Sequence, residues 1–146
     1  MTRRIVFISP TGNASGAEVV LLNIMREALR RDITVRCISP VGELVKRLPS
    51  TVEHVEIPEQ GLSAKPTPMA AIEWGGAARK ASRVIKSCSR DAGAVVVNGF
   101  LALPAVRLAA PEPPVSWVVH DVLRRREWFA LLSLVRESIK MAIPVS

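Results

Sequence analysis

The sequence is poor in aromatic residues and contains no tyrosine. Three tryptophans and three phenylalanines are its only aromatic side chains, and they do not alternate with basic residues as in a nucleic-acid-binding platform. The formal net charge of +7 at pH 7 nevertheless favours anionic partners. We therefore expect phosphates, nucleotide-linked substrates or an anionic membrane surface as partners, and no nucleic acid.

Cysteine and histidine are also scarce, with two of each. Cys37 lies in an apolar stretch and is expected in the core, while Cys88 has no partner in a Cys-x-x-Cys pair. These isolated side chains form no obvious metal-ligand set, so we expect neither a metal nor a cofactor. Isolated cysteines suit a reducing compartment, and we predict a cytoplasmic protein.

Long apolar runs are missing as well, since no stretch approaches the roughly 18 residues that a membrane helix requires. The basic start resembles a signal peptide only briefly, because Ser9 and Pro10 interrupt the apolar run. A length of 146 residues, with 49% hydrophobic and 23% charged side chains, suits one globular domain over residues 1–146.

Residues 3–30 predict a buried strand at 3–9, a glycine-bearing loop, and a helix from Ala17 with Glu18 on its polar face. Such a helix directs free backbone N–H groups at the carboxyl end of the strand, which is a typical anion site. Gly12 and Gly16 lack the spacing of a P-loop or of the dinucleotide fingerprint. The alternative is that both glycines only shape a tight turn.

The remaining sequence alternates between strand and helix patterns. Further strands are expected at residues 33–39, 52–57, 94–97, 115–119 and 143–146. Helices are expected at residues 43–48, 69–90, 103–110 and 124–140. The second of these helices is either continuous or broken at Gly75 and Gly76, and His54 is expected to be solvated on an edge strand. The alternation predicts a Rossmann-like α/β fold, a parallel sheet of order 3-2-1-4-5-6 with helices on both faces.

This strand order places a ligand crevice between the first and fourth strands, outside their carboxyl ends. The loop with Gly16 and the loop with Asn98 and Gly99 would flank the crevice, and His120 would follow the next strand. Polar loops are therefore expected to converge on one edge of the sheet.

Several short segments resemble one protein family. Ser15-Gly16-Ala17-Glu18 resembles the Gly-Gly-Ala-Glu that opens the first helix of many family 4 retaining glycosyltransferases. Residues 95–109 resemble their fourth strand and the helix after it. Residues 114–121 resemble their fifth strand, which often ends Val-His-Asp, and residues 141–146 resemble the next strand. The segments follow the family's order and cover most of the chain.

The resemblance implies a GT-B fold, in which two Rossmann-like domains face each other across a cleft. The chain is similar to the N-terminal, acceptor-side domain. In the family, a C-terminal domain supplies most contacts to the nucleotide-sugar donor, through a Glu-x7-Glu element and a basic pair. Residues 1–146 contain no counterpart of that domain, so we expect half of an active site, inactive without a C-terminal glycosyltransferase domain.

The resemblance also implies roles for individual residues. The substrate-binding residues it implies are Ser15, Gly16, Asn98, Gly99 and Asp121. Gly16 would offer its N–H to the donor diphosphate or the acceptor, and Asn98 would line the acceptor pocket. His120 would be the catalytic residue, hydrogen-bonded to a hydroxyl of the reacting sugar. The alternative is a structural histidine bonded to a neighbouring loop. Asp121 would orient His120 or cap the next helix rather than act as a base. Apart from the resemblance, Glu18 lies near the start of the first helix and is expected to compensate the helix dipole rather than contact substrate.

Residues 124–135 allow two interpretations. Arg124, Arg125 and Arg126 precede an apolar pattern that begins at Trp128. The segment is either a core helix with a solvated basic start, or a basic and apolar patch for an anionic lipid surface or a lipid-linked acceptor. Both interpretations predict the same amphipathic pattern.

Three functional interpretations follow from these observations. The preferred one is half of an enzyme that transfers a sugar from a nucleotide-sugar donor to a saccharide or lipid-linked acceptor. The alternative is a non-catalytic Rossmann-type module that binds a phosphorylated ligand. The third is an inactive fragment or degenerate paralogue. A peripheral position at the membrane remains open beside the predicted cytoplasmic location.

Overall fold

The computed structural model of the chain describes residues 3–61, 67–120 and 126–145. The strands among them are β1 (Arg4–Ile8), β2 (Thr34–Ser39), β3 (Glu53–Glu56), β4 (Ala94–Asn98), β5 (Val115–Val119) and β6 (Met141–Pro144). The helices are α1 (Gly16–Arg30), α2 (Glu43–Lys46), α3 (Pro68–Cys88), α4 (Leu103–Ala109) and α5 (Arg126–Val135), and a 3₁₀ turn (Arg136–Ser138) follows α5. None of these helices combines the length and apolarity needed to cross a bilayer.

The strands form one parallel sheet in the order β3-β2-β1-β4-β5-β6. The predicted α/β architecture and strand order are therefore confirmed. β1 lies in the centre, where Ile5 pairs with Val35 of β2 and with Ala94 of β4. Because all the strands are parallel, the carboxyl ends of β1, β4 and β5 meet at one edge, as expected from the sequence.

The alternating side chains of β1 divide the core into two layers. Phe7 packs with Leu21 and Met25 of α1 on one face of the sheet. Val6 and Ile8 contribute to the layer on the other face, which includes apolar residues of α3 and α4. Val6, Phe7 and Ile8 are each 0% exposed. This part of β1 is therefore buried on both faces, as is typical of a central parallel strand.

Helix α3 is continuous at the glycine pair where the sequence leaves a break open. It runs through Gly75 and Gly76, although glycine lowers helix stability by about 1 kcal/mol relative to alanine. Both glycines are exposed, and a Cβ atom added at either position would meet no atom of another element within 4 Å. Ala81 and Ile85, further along the helix, are fully buried in the core. Tertiary packing of this half of the helix outweighs the low propensity of the glycine pair.

Helix α5 ends earlier than the sequence predicts, and strand β6 begins earlier than the sequence predicts. Val135 is buried and terminates α5, and the N–H of Ile139 then donates to the carbonyl of Arg136 at 3.1 Å. This turn lets the N–H of Lys140 donate to the carbonyl of Val115 at 2.8 Å. Pairing with β5 therefore starts before residue 143, and the predicted helix does not reach residue 140.

Gly12 lies where two loops touch. Its carbonyl accepts the N–H of Leu44 at 2.9 Å, and its own N–H lies 3.3 Å from the carboxylate of Glu59. A Cβ atom at position 12 would stand 2.5 Å from the carbonyl oxygen of Val41, whereas a Cβ at Gly16 would meet no atom within 4 Å. Gly12 is thus a structural glycine, and the close approach of the two loops requires it.

We expect Gly12→Ala to lower the free energy of unfolding by about 1–3 kcal/mol, because the added methyl group overlaps backbone atoms. Gly16→Ala is the matched control and should change it by less than about 0.5 kcal/mol, since its surroundings are open. Urea unfolding followed by circular dichroism measures both variants. Equal losses for the two would contradict the assignment of Gly12 as the contact glycine.

Cys37 is in the core, as predicted, and is 0% exposed. Burial raises the pKa of its thiol to about 12. Cys88 is partly exposed.

At mildly alkaline pH we expect N-ethylmaleimide to modify Cys88 and spare Cys37 in the folded protein, because only an accessible thiolate reacts. Peptide mass spectrometry locates the label, and a denatured sample labelled at both positions is the control. Comparable labelling of both in the folded protein would be the contrary result.

Candidate functional site

The candidate site lies at the carboxyl edge of the sheet, around the loops that follow β1, β4 and β5. Helix α1 begins at Gly16, after the first of these loops. Asn98 ends β4, and Gly99 follows with a φ of 77°, a left-handed conformation that favours glycine. His120 comes directly after β5. The predicted site residues that the structure describes therefore lie along one edge.

The first turn of α1 is held by Glu18. The backbone N–H of Ser15 donates to Oε2 of Glu18 at 3.1 Å, and the Ser15 hydroxyl donates to the same oxygen. A serine before a helix with a glutamate three residues later is the capping-box arrangement. Glu18 is only 3% exposed, so its expected place on the polar face of α1 is wrong. Both donors of Ser15 are engaged inside the protein.

A hydrogen bond joins this turn to β4. Nδ2 of Asn98 donates to Oε1 of Glu18 at 3.3 Å, so both oxygens of the buried carboxylate accept hydrogen bonds. Asn98 is 1% exposed, and its Oδ1 is buried without a hydrogen-bond partner among the described residues. A buried oxygen without a partner costs about 1–3 kcal/mol. Asn98 therefore introduces an unsatisfied acceptor at the edge of the sheet.

His120 brings a second unsatisfied polar atom to the same edge. Its Nε2 is buried and has no partner within the part of the chain that the structure describes. Asn98 pairs with Val118, so His120 lies two residues beyond the partner of Asn98. With strands about 4.8 Å apart and a rise of about 3.3 Å per residue, this register separates the two Cα atoms by about 8 Å. Side chains at this separation can contact one small ligand together.

The N-terminus of α1 adds positive electrostatic potential to this edge. The N–H of Val19 donates to the carbonyl of Ser15 at 3.0 Å and begins the helical hydrogen bonds. The N–H groups of Gly16 and Ala17 precede it and have no partner inside the helix. They carry the positive end of the helix dipole, part of which Glu18 in the same turn compensates, and they remain the donors that this turn can offer to an anionic group such as a phosphate.

Other residues singled out from the sequence are not placed at this edge by the structure. Asp121, Arg124 and Arg125 lie outside the described residues, and the roles assigned to them stay predictions. His54 lies on the edge strand β3, as expected, and is only partly exposed, since its Nε2 lies 3.1 Å from both the hydroxyl and the carbonyl oxygen of Ser39. Across the three described segments, no group of three His, Cys, Asp or Glu residues could hold a metal ion.

The contact between Glu18 and Asn98 was missed by sequence reasoning. The spacing of Ser15 and Glu18 matches a capping box, so the inward direction of the glutamate had a readable signal. The bond to Asn98 spans 80 positions and leaves no periodic pattern in the sequence.

The fold is similar to that of solved glycosyltransferases. The chain matches MurG from Acinetobacter baumannii with a TM-score of 0.66 at 16% identity, over 98% of this chain and 41% of that one. It matches HepE from Anabaena, solved with UDP and glucose, with a TM-score of 0.66 at 16% identity, over 96% of this chain and 37% of HepE. The fold is that of a GT-B glycosyltransferase domain. A UGT transferase from Siraitia grosvenorii, solved with UDP, matches with a TM-score of 0.54 at 13% identity, over 80% of this chain and 28% of that protein.

These likenesses concern the fold, since the identities are low. No model of a known protein family matches the sequence, and no curated protein matches it either. The chain spans less than half the length of each of the three structures, at 41%, 37% and 28%. The Rossmann-like α/β fold class is confirmed and matches GT-B domains of MurG and HepE, whereas family 4 membership and the retaining outcome stay predictions from the sequence motifs.

The structure predicts different costs for two substitutions of Glu18. Glu18→Ala removes the cap of α1 and leaves Nδ2 of Asn98 without an acceptor, so we expect a loss of about 1–3 kcal/mol in the free energy of unfolding. Glu18→Gln should lose clearly less, because glutamine at this position also forms a capping box. Urea unfolding of both variants measures the difference. Identical losses would mean that the cap contributes little.

Proposed function

We propose that the chain is the acceptor-side domain of a GT-B glycosyltransferase, which transfers a sugar from a nucleotide-sugar donor to a saccharide or lipid-linked acceptor. The fold similarity and the polar edge beyond β1, β4 and β5 support this function. The sequence motifs further favour a retaining enzyme of family 4. In this proposal a second domain completes the active site and supplies most contacts to the donor.

The two unsatisfied atoms, Oδ1 of Asn98 and Nε2 of His120, are the observation that carries the proposal. A sugar hydroxyl both donates and accepts hydrogen bonds, and neighbouring hydroxyls on one ring can satisfy both atoms. Neither atom is exposed at the surface. A hydroxyl therefore reaches them through a bridging water or after a small shift of the edge loops.

The donor diphosphate is proposed to lie at the N-terminus of α1. Ser15 has both of its donors engaged by Glu18, so the N–H groups of Gly16 and Ala17 are the ones offered to a phosphate. No Cβ occupies the space beside Gly16, and the open surroundings allow a close approach. The net charge of +7 favours the same anionic ligand.

His120 is proposed as the catalytic residue, and Asn98 and Gly99 as the lining of the acceptor pocket. Charge develops on the reacting sugar in the transition state. A hydrogen bond from His120 that strengthens with this charge increases the rate of sugar transfer. Asp121 follows His120 directly, and its proposed role is to orient the imidazole. Because the second domain supplies most donor contacts, we expect the 146-residue chain alone to bind nucleotide sugars weakly and to transfer no sugar.

An NMR titration of the ¹⁵N-labelled chain tests the proposal. UDP should perturb the backbone amides of Gly16 and Ala17, and methyl α-D-glucopyranoside should perturb those around Asn98 and His120. A response to UDP with none to the glucoside would favour the alternative of a binding module for phosphorylated ligands. Perturbations confined to the amino edge of the sheet would contradict both functions.

The two histidines of the chain provide a matched pair of variants. We expect His120→Ala to weaken glucoside binding by about threefold to tenfold, the value of one hydrogen bond, without loss of stability. His54→Ala should leave binding unchanged and lower stability, because it removes the contacts to Ser39. NMR titration and urea unfolding of both variants give the two quantities. The reverse pattern would make His120 a structural residue.

A further inference from the structure

The unsatisfied oxygen of Asn98 owes its orientation to Glu18. The backbone N–H and hydroxyl of Ser15 and Nδ2 of Asn98 all converge on the carboxylate of Glu18. Nδ2 of Asn98 donates to Oε1 of Glu18 at 3.3 Å, so the nitrogen end of the carboxamide faces Glu18. Oδ1 is left as the end without a partner among the described residues. The chemistry of the neighbour decides between the two orientations of the amide.

We infer that Glu18 is a positioning residue that fixes the carboxamide of Asn98, so that this part of the edge is a subsite for a hydrogen-bond donor. The ligand group that fits is a sugar hydroxyl directed at Oδ1. An ether or carbonyl oxygen placed there would face another acceptor and gain no hydrogen bond. The inference rests on the proposed function for the identity of the ligand, and on the structure alone for the orientation of the amide.

The burial of both residues makes this orientation persistent. Glu18 is 3% exposed and Asn98 is 1% exposed, so water does not compete freely for the bond between them. Rotating the carboxamide would bring Oδ1 against the carboxylate and remove the hydrogen bond of Nδ2. The single sequence position 18 therefore controls whether the subsite offers an acceptor or a donor.

Glu18→Gln separates positioning from helix capping. Glutamine keeps the capping-box spacing with Ser15, but its amide nitrogen can donate to Oδ1 of Asn98. The Asn98 amide is then free to adopt the opposite orientation. Glu27→Gln is the matched control, because Glu27 lies on the same helix, is exposed, and bonds Arg31 at 2.8 Å away from the site.

The first experiment needs no ligand and follows the side-chain amide signals of Asn98 in the ¹⁵N-labelled full chain. Asn98→Leu identifies these signals by their loss. In the wild-type protein we expect one amide proton that exchanges slowly with water and shifts clearly in Glu18→Gln but not in Glu27→Gln. Asn98 signals that are the same in all three proteins would overturn the inference. If Glu18→Gln fails to fold, a crystal structure of the wild-type chain decides through the distance from Nδ2 of Asn98 to Glu18.

The second experiment compares methyl α-D-glucopyranoside with its per-O-methylated form, which retains acceptor oxygens but has no hydroxyl donors. We expect the preference for the hydroxylated sugar to fall about threefold to tenfold in Glu18→Gln relative to Glu27→Gln. An unchanged preference would overturn the assignment of a donor-binding subsite. If the wild-type chain binds neither sugar, the proposed function and the hydroxyl subsite fail together, while a positive first experiment still upholds the orientation of Asn98 by Glu18.

Discussion

The burial of β1 on both faces is the constraint on which the rest of the structure depends. Val6, Phe7 and Ile8 have no exposed surface, and β1 pairs with β2 on one side and β4 on the other. A strand in this position needs a helical layer over each face, and α1 on one side and α3 with α4 on the other provide them. The chain must therefore leave β1 at its carboxyl end and return over the sheet as α1. That return places the first turn of α1 beside the end of β4.

Much of this arrangement could be predicted from the sequence because it depends on periodicity and connection rules. A short β-branched run predicts a buried strand, and right-handed crossovers between parallel strands leave few strand orders. The carboxyl edge of the sheet follows from those rules alone. The extent of α3 and the start of β6 do not follow from these rules. Tertiary contacts determine the conformation at Gly75, Gly76 and Lys140. Propensity and periodicity carry no information about those contacts.

The location of the site residues could be predicted from the sequence, whereas the hydrogen bonds between them could not. Asn98 could be placed at the edge because it ends a strand, His120 because it directly follows one, and Gly16 because it begins a helix. Glu18 was expected in solvent, since a helical pattern assigns charged residues to the polar face. A glutamate in the first turn has a second option, which is to fold back on the residue before the helix. In this protein the Glu18 side chain is buried, and its hydrogen bonds connect the start of α1 with the end of β4.

The two outer strands of the sheet differ in how they meet the surroundings. On β3, Glu53 and Glu56 are exposed, and such charges discourage a further strand from adding to an edge. On β6, Met141 is 58% exposed and Ile143 is 38% exposed, and no strand of the described segments covers the outer edge. Pro144 lacks an N–H and limits pairing only at the end of β6. Of the two edges, β6 is therefore the one that presents apolar side chains in place of charges, a composition that favours pairing with a further strand.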